Sequence, residues 1–224
     1  MIGQRINESL RFWWGNLGAL LLVTLPFALA GEGLQWAFGP IISGSAEQPT
    51  VNGAGAVAYL SLRPFAEGAI IAQLAAIQAG RARGLGDCLL FSLRMAPVLF
   101  IVYALIAVAV AMGWMAFILP GLWLYARLCL APYIATLENR PITEAFRATL
   151  ARTREMQWQI LGSICLLGIL LMFILLGIGG LLAGLLGDHA GTALVLAVIT
   201  GLFGALINVL VFRFYVLSLP AEQE

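Results

Sequence analysis

The feature that most constrains this chain is a succession of six apolar runs, at about 17–38, 56–79, 98–119, 121–137, 159–186 and 190–218. About 30 Å of hydrocarbon takes roughly 20 helical residues to cross. No water inside that layer can satisfy an unpaired backbone group, so a spanning segment must be a helix or a strand of a closed barrel. Runs of this length and continuity select the helix. Composition agrees: 62% of the 224 residues are hydrophobic and only 10% are charged, with a mean hydropathy of +0.98. A soluble domain is about 45–50% apolar and roughly 25% charged, and a small one cannot hide so much apolar surface in its own core. The expected fold is all-α, a polytopic membrane protein forming a single six-helix transmembrane domain over 1–224.

The last two runs exceed the required length, which implies tilt or extension beyond the bilayer. Runs three and four meet at Leu119-Pro120-Gly121. Proline cannot continue a helix interior and glycine permits a reversal, so a tight hairpin is expected there. Arg5 and Arg11 precede a first run that ends in Ala28-Leu29-Ala30, which has the outline of a secretory leader. The stretch before that run, INESLRFWWGN, is amphipathic and aromatic rather than a bare charged leader. A retained first helix is the expectation.

Arginine placement orients the bundle. All 12 basic residues are arginine. Arg5 and Arg11 precede the first span, and Arg81, Arg83 and Arg94 lie between the second and third. Arg140, Arg147, Arg152 and Arg154 lie between the fourth and fifth, and Arg213 is near the end of the sixth. The alternate connections carry Glu32, Glu47, Asp188 and His189 and no arginine. Arginine-rich short loops stay on the cytoplasmic side. The expected location is the bacterial inner membrane, with both termini in the cytoplasm.

Three segments, ESLRFWWGNLGALLL from Glu8, FSLRMAPVLFIVYAL from Phe91 and ARTREMQWQILGSICLL from Ala151, each run from an arginine-bearing amphipathic piece into a span. They suggest three copies of a unit, a surface helix followed by a transmembrane hairpin. In the connection after the fourth span, Pro141 suits a first helical turn. Ile142, Phe146, Leu150 and Thr153 recur at helical spacing opposite Glu144, Arg147, Arg152 and Glu155. Such a helix either lies in the interface plane, with Arg140, Arg147, Arg152 and Arg154 facing anionic phospholipids, or is a solvated connector.

Charges within the spans are the candidate site. Arg127 lies six residues past Gly121, roughly 9 Å along a helix at about 1.5 Å per residue. Arg63 sits at comparable depth in the second span, Glu67 follows at i+4 on the same face, and Pro64 between them removes a backbone donor. Glu32 lies near the outer end of the first span. A cluster of Arg63, Glu67 and Arg127 with Glu32 is expected in the outer half. Three readings stay open: an ion pair tying spans two and four, a site for an anionic headgroup or substrate, and simple snorkelling of Arg127.

Other features are weaker. Cys88, Cys129 and Cys165 show no metal or disulfide spacing. Gly180 and Gly184 form a GxxxG, Asn208 suits packing between helices, and His189 beside Asp188 reads as a turn residue. No nucleophile–base pair, phosphate loop or metal-ligand cluster is present in the sequence, and no cofactor or nucleic-acid partner is implied. The stretch LPGLWLYARLCLAPYIATLENRPITEAFRATLARTR resembles the signature of the YciC-like inner-membrane family and the membrane domain of glycerophosphodiester phosphodiesterases. Pro120, Gly121, Tyr125, Arg127, Pro132, Glu138, Ala145 and Arg154 carry the likeness, with Thr149 where a serine is usual. The resemblance implies a six-helix membrane fold without catalytic residues of its own. Together these features lead to a non-enzymatic membrane protein engaging lipids, a protein partner or a second copy of itself. The alternative is a small transporter or permease subunit using the Arg/Glu cluster.

Overall fold

The computed structural model describes residues 2–45, 48–187 and 189–219, so Glu47 and Asp188 lie outside the described residues. Within them the order is α1 (Ile2–Gly15), α2 (Leu17–Phe38), β1 (Ile42–Ser45), β2 (Gln48–Val51), α3 (Gly53–Gln78), α4 (Leu85–Ala116), α5 (Ile118–Leu128), α6 (Ala131–Leu137), α7 (Ile142–Arg152), α8 (Gln157–Leu186) and α9 (Ala190–Ser218). Six segments are long and apolar enough to cross a membrane: α2, α3, α4, the α5–α6 pair, α8 and α9. The chain is a multi-pass, all-α membrane protein. The α5–α6 segment is the most enclosed, with 56% of its apolar window buried, and α8 the least, at 11%. The fourth span is therefore the centre of the bundle and the fifth lies at its edge.

Several boundaries differ from the sequence expectation, each for a local reason. The third span begins at Leu85 rather than 98 and runs through Pro97; Gly84 in an extended conformation opens it, and Asp87 in the first turn complements the helix dipole. The corner between spans three and four is Phe117, extended at φ −170° and ψ 163°, not Leu119-Pro120-Gly121. Pro120 falls in the first turn of α5, where its missing N–H costs nothing. Gly121 serves close packing: a Cβ on Gly113 of α4 would come within 2.7 Å of the Gly121 Cα. Pro132 takes away the amide that would bond the Leu128 carbonyl, and the fourth span breaks there into α5 and α6. An antiparallel hairpin, β1 with β2, pairs Ile42 with Val51 between α2 and α3. Asn52 closes it, its side chain accepting from the Gly55 amide at the start of α3.

The two flanking helices are part of the bundle. The Trp13 indole of α1 donates to the Leu202 carbonyl of α9 at 3.0 Å and stacks on Phe203. Glu8 accepts from Arg5 at 3.1 Å and lies 3.9 Å from Arg213. On α7 the buried positions are Ala145 and Thr149, with Thr153 just beyond, while Leu150 is exposed. Of the expected stripe, Ile142 and Phe146 pack partly buried against the core and Thr153 is buried, so only Leu150 departs from it. The face of α7 that carries Ala145 and Thr149 packs where the helix folds back against α6.

Burial is uneven along the bundle axis. At the end holding the arginine-bearing connections, Gly68–Leu74 of α3, Leu128–Thr136 of the fourth span and Ala205–Phe212 of α9 form an almost unbroken core. Gln73 is sealed there and satisfied: it donates to the Ala19 carbonyl at 3.4 Å and accepts from the Arg83 amide at 3.1 Å and the Cys88 thiol at 3.2 Å. Toward the β-hairpin end α8 buries nothing beyond Leu171, and its Leu176, Leu181 and Leu185 face outward.

Candidate functional site

A cavity of about 440 Å³ lies between α2, α3 and α9. Small residues make the space. Ala28 and Gly31 on α2 and Ala193, Ala197, Gly201 and Gly204 on α9 recur at about one helical turn along the facing sides. Leucines at those positions would close it. Tyr59, Arg63 and Glu67 step down the α3 face one turn at a time, and Asn208 of α9 sits beside Glu67 at the deep end. Glu32 and Gln35 line the part toward the β-hairpin end, where the Gln35 amide donates to Glu32 at 3.4 Å. Phe27, Leu62, Ile70 and Leu196 supply apolar walls.

The floor is a hydrogen-bonded chain. The Tyr133 hydroxyl of α6 donates to the Asn208 backbone carbonyl at 3.0 Å and approaches its side-chain oxygen at 3.4 Å. The Asn208 side chain lies beside the Glu67 carboxylate, and Arg63 stands one turn away on α3. Among the described residues no direct ion pair joins Arg63 to Glu67, and Glu67 Oε2 is shielded with no partner. Pro64 lies buried between them inside α3.

Of the four charges expected to meet, three do. Arg63, Glu67 and Glu32 line the cavity; Arg127 does not. The expected Arg63/Glu67/Arg127 cluster is corrected by the path of span four. Arg127 occupies the last turn of α5, and its carbonyl accepts from the Thr153 hydroxyl at 3.2 Å. Its guanidinium lies 5.8 Å from the Trp123 ring, while Trp123 donates to Gln157 at the start of α8. Arg127 thus belongs to the arginine-rich end. Its Nε and Nη1 are buried without hydrogen-bond partners, and the aromatic face is what offsets that.

The four arginines expected to face lipid also divide. Arg152 is corrected: it holds Glu138 through both guanidinium nitrogens, one at 3.0 Å, with only 17% of its side chain exposed. Arg140 adds a 2.9 Å contact to the same carboxylate from a more exposed position. Arg147 and Arg154 are exposed. Partial burial alone would raise the Glu138 carboxyl, but the hydrogen bonds and charge of Arg152, with Arg140 behind it and the Tyr215 hydroxyl, hold it below its ordinary value. This clasp joins the end of α6 to the last turn of α7.

Other sequence candidates resolve simply. Gly180 and Gly184 have nothing within 4 Å of an added Cβ, so no described helix uses that GxxxG. His189 accepts from or donates to Thr192 at 2.8 Å in the turn before α9. No cluster of three metal-ligating side chains occurs among the described residues. Sequence reasoning gave Asn208 to packing and passed over Tyr59 and Gln35. The available signal was Asn208 itself, a polar residue in an apolar run, at i+4 from Gly204 on the face that forms the cavity. Comparison of the chain with protein-family models, with curated proteins and with solved structures finds no match.

Proposed function

We propose that this is a non-enzymatic lipid-binding protein of the bacterial inner membrane, with both termini in the cytoplasm. The observation that carries the reading is the cavity among α2, α3 and α9, about 440 Å³ with apolar walls and a charged, hydrogen-bonded floor. Small-molecule sites are typically about 300–1,000 Å³, mostly apolar, with a few placed polar groups. Ionisable residues inside a membrane are costly and mark functional sites by default. The cavity walls bring together two carboxyl groups and a guanidinium. Exposed Arg11, Arg147 and Arg154 accompany exposed Trp14 and Trp158, the pairing that suits contact with the headgroup layer and anionic phospholipids. The likeness of residues 119–159 to the YciC-like family belongs to the same proposal.

Native mass spectrometry of protein extracted in a mild detergent tests it: retained phospholipid is expected, and a bare mass under conditions that preserve lipid on a control membrane protein overturns it. A reporter fused after Glu224 should read as cytoplasmic. A second reading, a small transporter, is favoured by Glu67 standing at the cavity floor close to Pro64, which removes a backbone donor inside the continuous helix α3. It requires a water path continuing past Asn208 through the packed end. Cysteines placed at Leu206 and Val209 and labelled by impermeant maleimide from both sides would support transport; protection from both sides favours the lipid site.

A further inference from the structure

We infer that the cavity takes a phospholipid whose headgroup carries a primary ammonium beside its phosphate, the ethanolamine class, in preference to a purely anionic lipid. The inference rests on the lipid-binding reading and narrows it. With Arg127 outside the cavity, the lining holds one guanidinium, Arg63, against two carboxyl groups, Glu32 and Glu67. Arg63 offers a planar fork of donors that suits a phosphate. An anion that stopped there would still face two carboxyl groups in a medium that screens charge poorly. A headgroup with a cationic end removes that conflict.

Unused hydrogen-bonding capacity points the same way. An ammonium has three donors and no acceptor, so it needs acceptors that nothing else occupies. Among the described residues Glu67 Oε2 has no partner, and Glu32 accepts only from Gln35, at a long 3.4 Å. The spacing is suitable too. Arg63 and Glu67 are one turn apart on one face of α3, about 6 Å of rise, and an ethanolamine phosphate places its ammonium a two-carbon bridge from its phosphate. The volume accommodates a headgroup and glycerol, not a whole diacyl lipid, so the acyl chains leave between helices into the surrounding bilayer. A choline head fits the charges but has lost every N–H, so it leaves the carboxylate acceptors unmet.

The test uses full-length protein in nanodiscs made from equal parts of ethanolamine, glycerol and choline phospholipids with identical acyl chains. Retained lipid is read by native mass spectrometry after release. Retention of the ethanolamine lipid over each of the others is expected, falling about tenfold in Glu67→Gln, the loss that follows from one charge-assisted hydrogen bond. Glu32→Gln at the half-exposed mouth should reduce the preference in the same direction, and carries the test if Glu67→Gln fails to fold. Arg63→Gln should lower retention of all three lipids. Retention without headgroup preference, or a preference for the glycerol lipid, overturns the headgroup assignment and leaves lipid binding standing. Protein released bare from every mixture removes both. Displacement by free phosphoethanolamine at the same concentration as lipid overturns the lipid source and assigns the cavity to a soluble zwitterion.

Discussion

The two ends of this bundle are built to different rules. At the arginine-rich end, α3, the fourth span and α9 bury consecutive residues whatever their helical phase, α7 folds back to cover α6, and Gln73 and Glu138 tie neighbouring elements through satisfied polar groups. At the β-hairpin end leucines of α8 face outward, small residues of α2 and α9 leave a cavity, and Glu67 keeps an oxygen with no partner among the described residues. Lipid already provides an apolar environment, so helices gain little from mere apolar contact there. Where they pack closely, side-chain fit and internal hydrogen bonds hold them; where small residues face one another, space is left between them. A cavity is stable at the second end because the first holds the helices in place.

The largest test of that contrast is a pair of truncations. Phe212→Ala at the packed end should cost about 3–5 kcal/mol, the range for an enclosed aromatic, whereas Leu185→Ala on the outward face of α8 should stay within about 0.5 kcal/mol. Thermal unfolding in detergent reads both, and equal losses would erase the distinction. Next comes the clasp. Glu138→Gln should cost about 1.5–3 kcal/mol, the worth of hydrogen bonds to a charged partner. Because the folded Glu138 carboxyl sits below its ordinary value, the folded state favours the deprotonated form. The stability it adds is therefore present above the unfolded pKa and is lost as pH falls through the folded one. The wild type should lose stability on acidification in that window, and Glu138→Gln should lose less.

A smaller effect separates Arg127 from the cavity. Arg127→Leu and Glu67→Leu should combine additively to within about 0.5 kcal/mol, as sites without shared partners do; a double variant more stable than the sum would restore a pairing between the ends. The smallest belongs to Gly180→Ala, which meets open space and should leave the melting temperature unchanged apart from a slight helix-propensity gain. A clear loss would reveal a partner helix on that face of α8.

Much of the fold is legible because hydropathy measures transfer out of water, and the six runs carry it plainly. Hydropathy does not distinguish burial against lipid from burial against protein. Leu128–Thr136 and the outer part of α8 look alike as sequence and have opposite surroundings. The same blindness hid the position of Arg127: counting residues from Gly121 gave its distance along a helix, but not the return of α7 that sets Thr153 against its carbonyl. The third span reaches back past Arg94 to Leu85 because α4 tolerates Pro97 inside it. Pro132 did break the fourth span, at a place where no polar residue announced it. The β1–β2 hairpin had no alternating apolar pattern to betray it. At the site, Arg63 and Glu67 were readable from i+4 spacing, while the cavity between them and α9 arises from glycines and alanines that carry no chemical signal.

The corner at Phe117 bears on how the chain reaches its place. A connection of one residue between α4 and α5 gives a translocating ribosome product no hydrophilic stretch to thread across the bilayer. With Gly113 and Gly121 backbone to backbone, those two helices are held as a closed wedge with no slack in the link between them. A single extended residue thus leaves α4 and α5 no room to part, and any movement of one must carry the other.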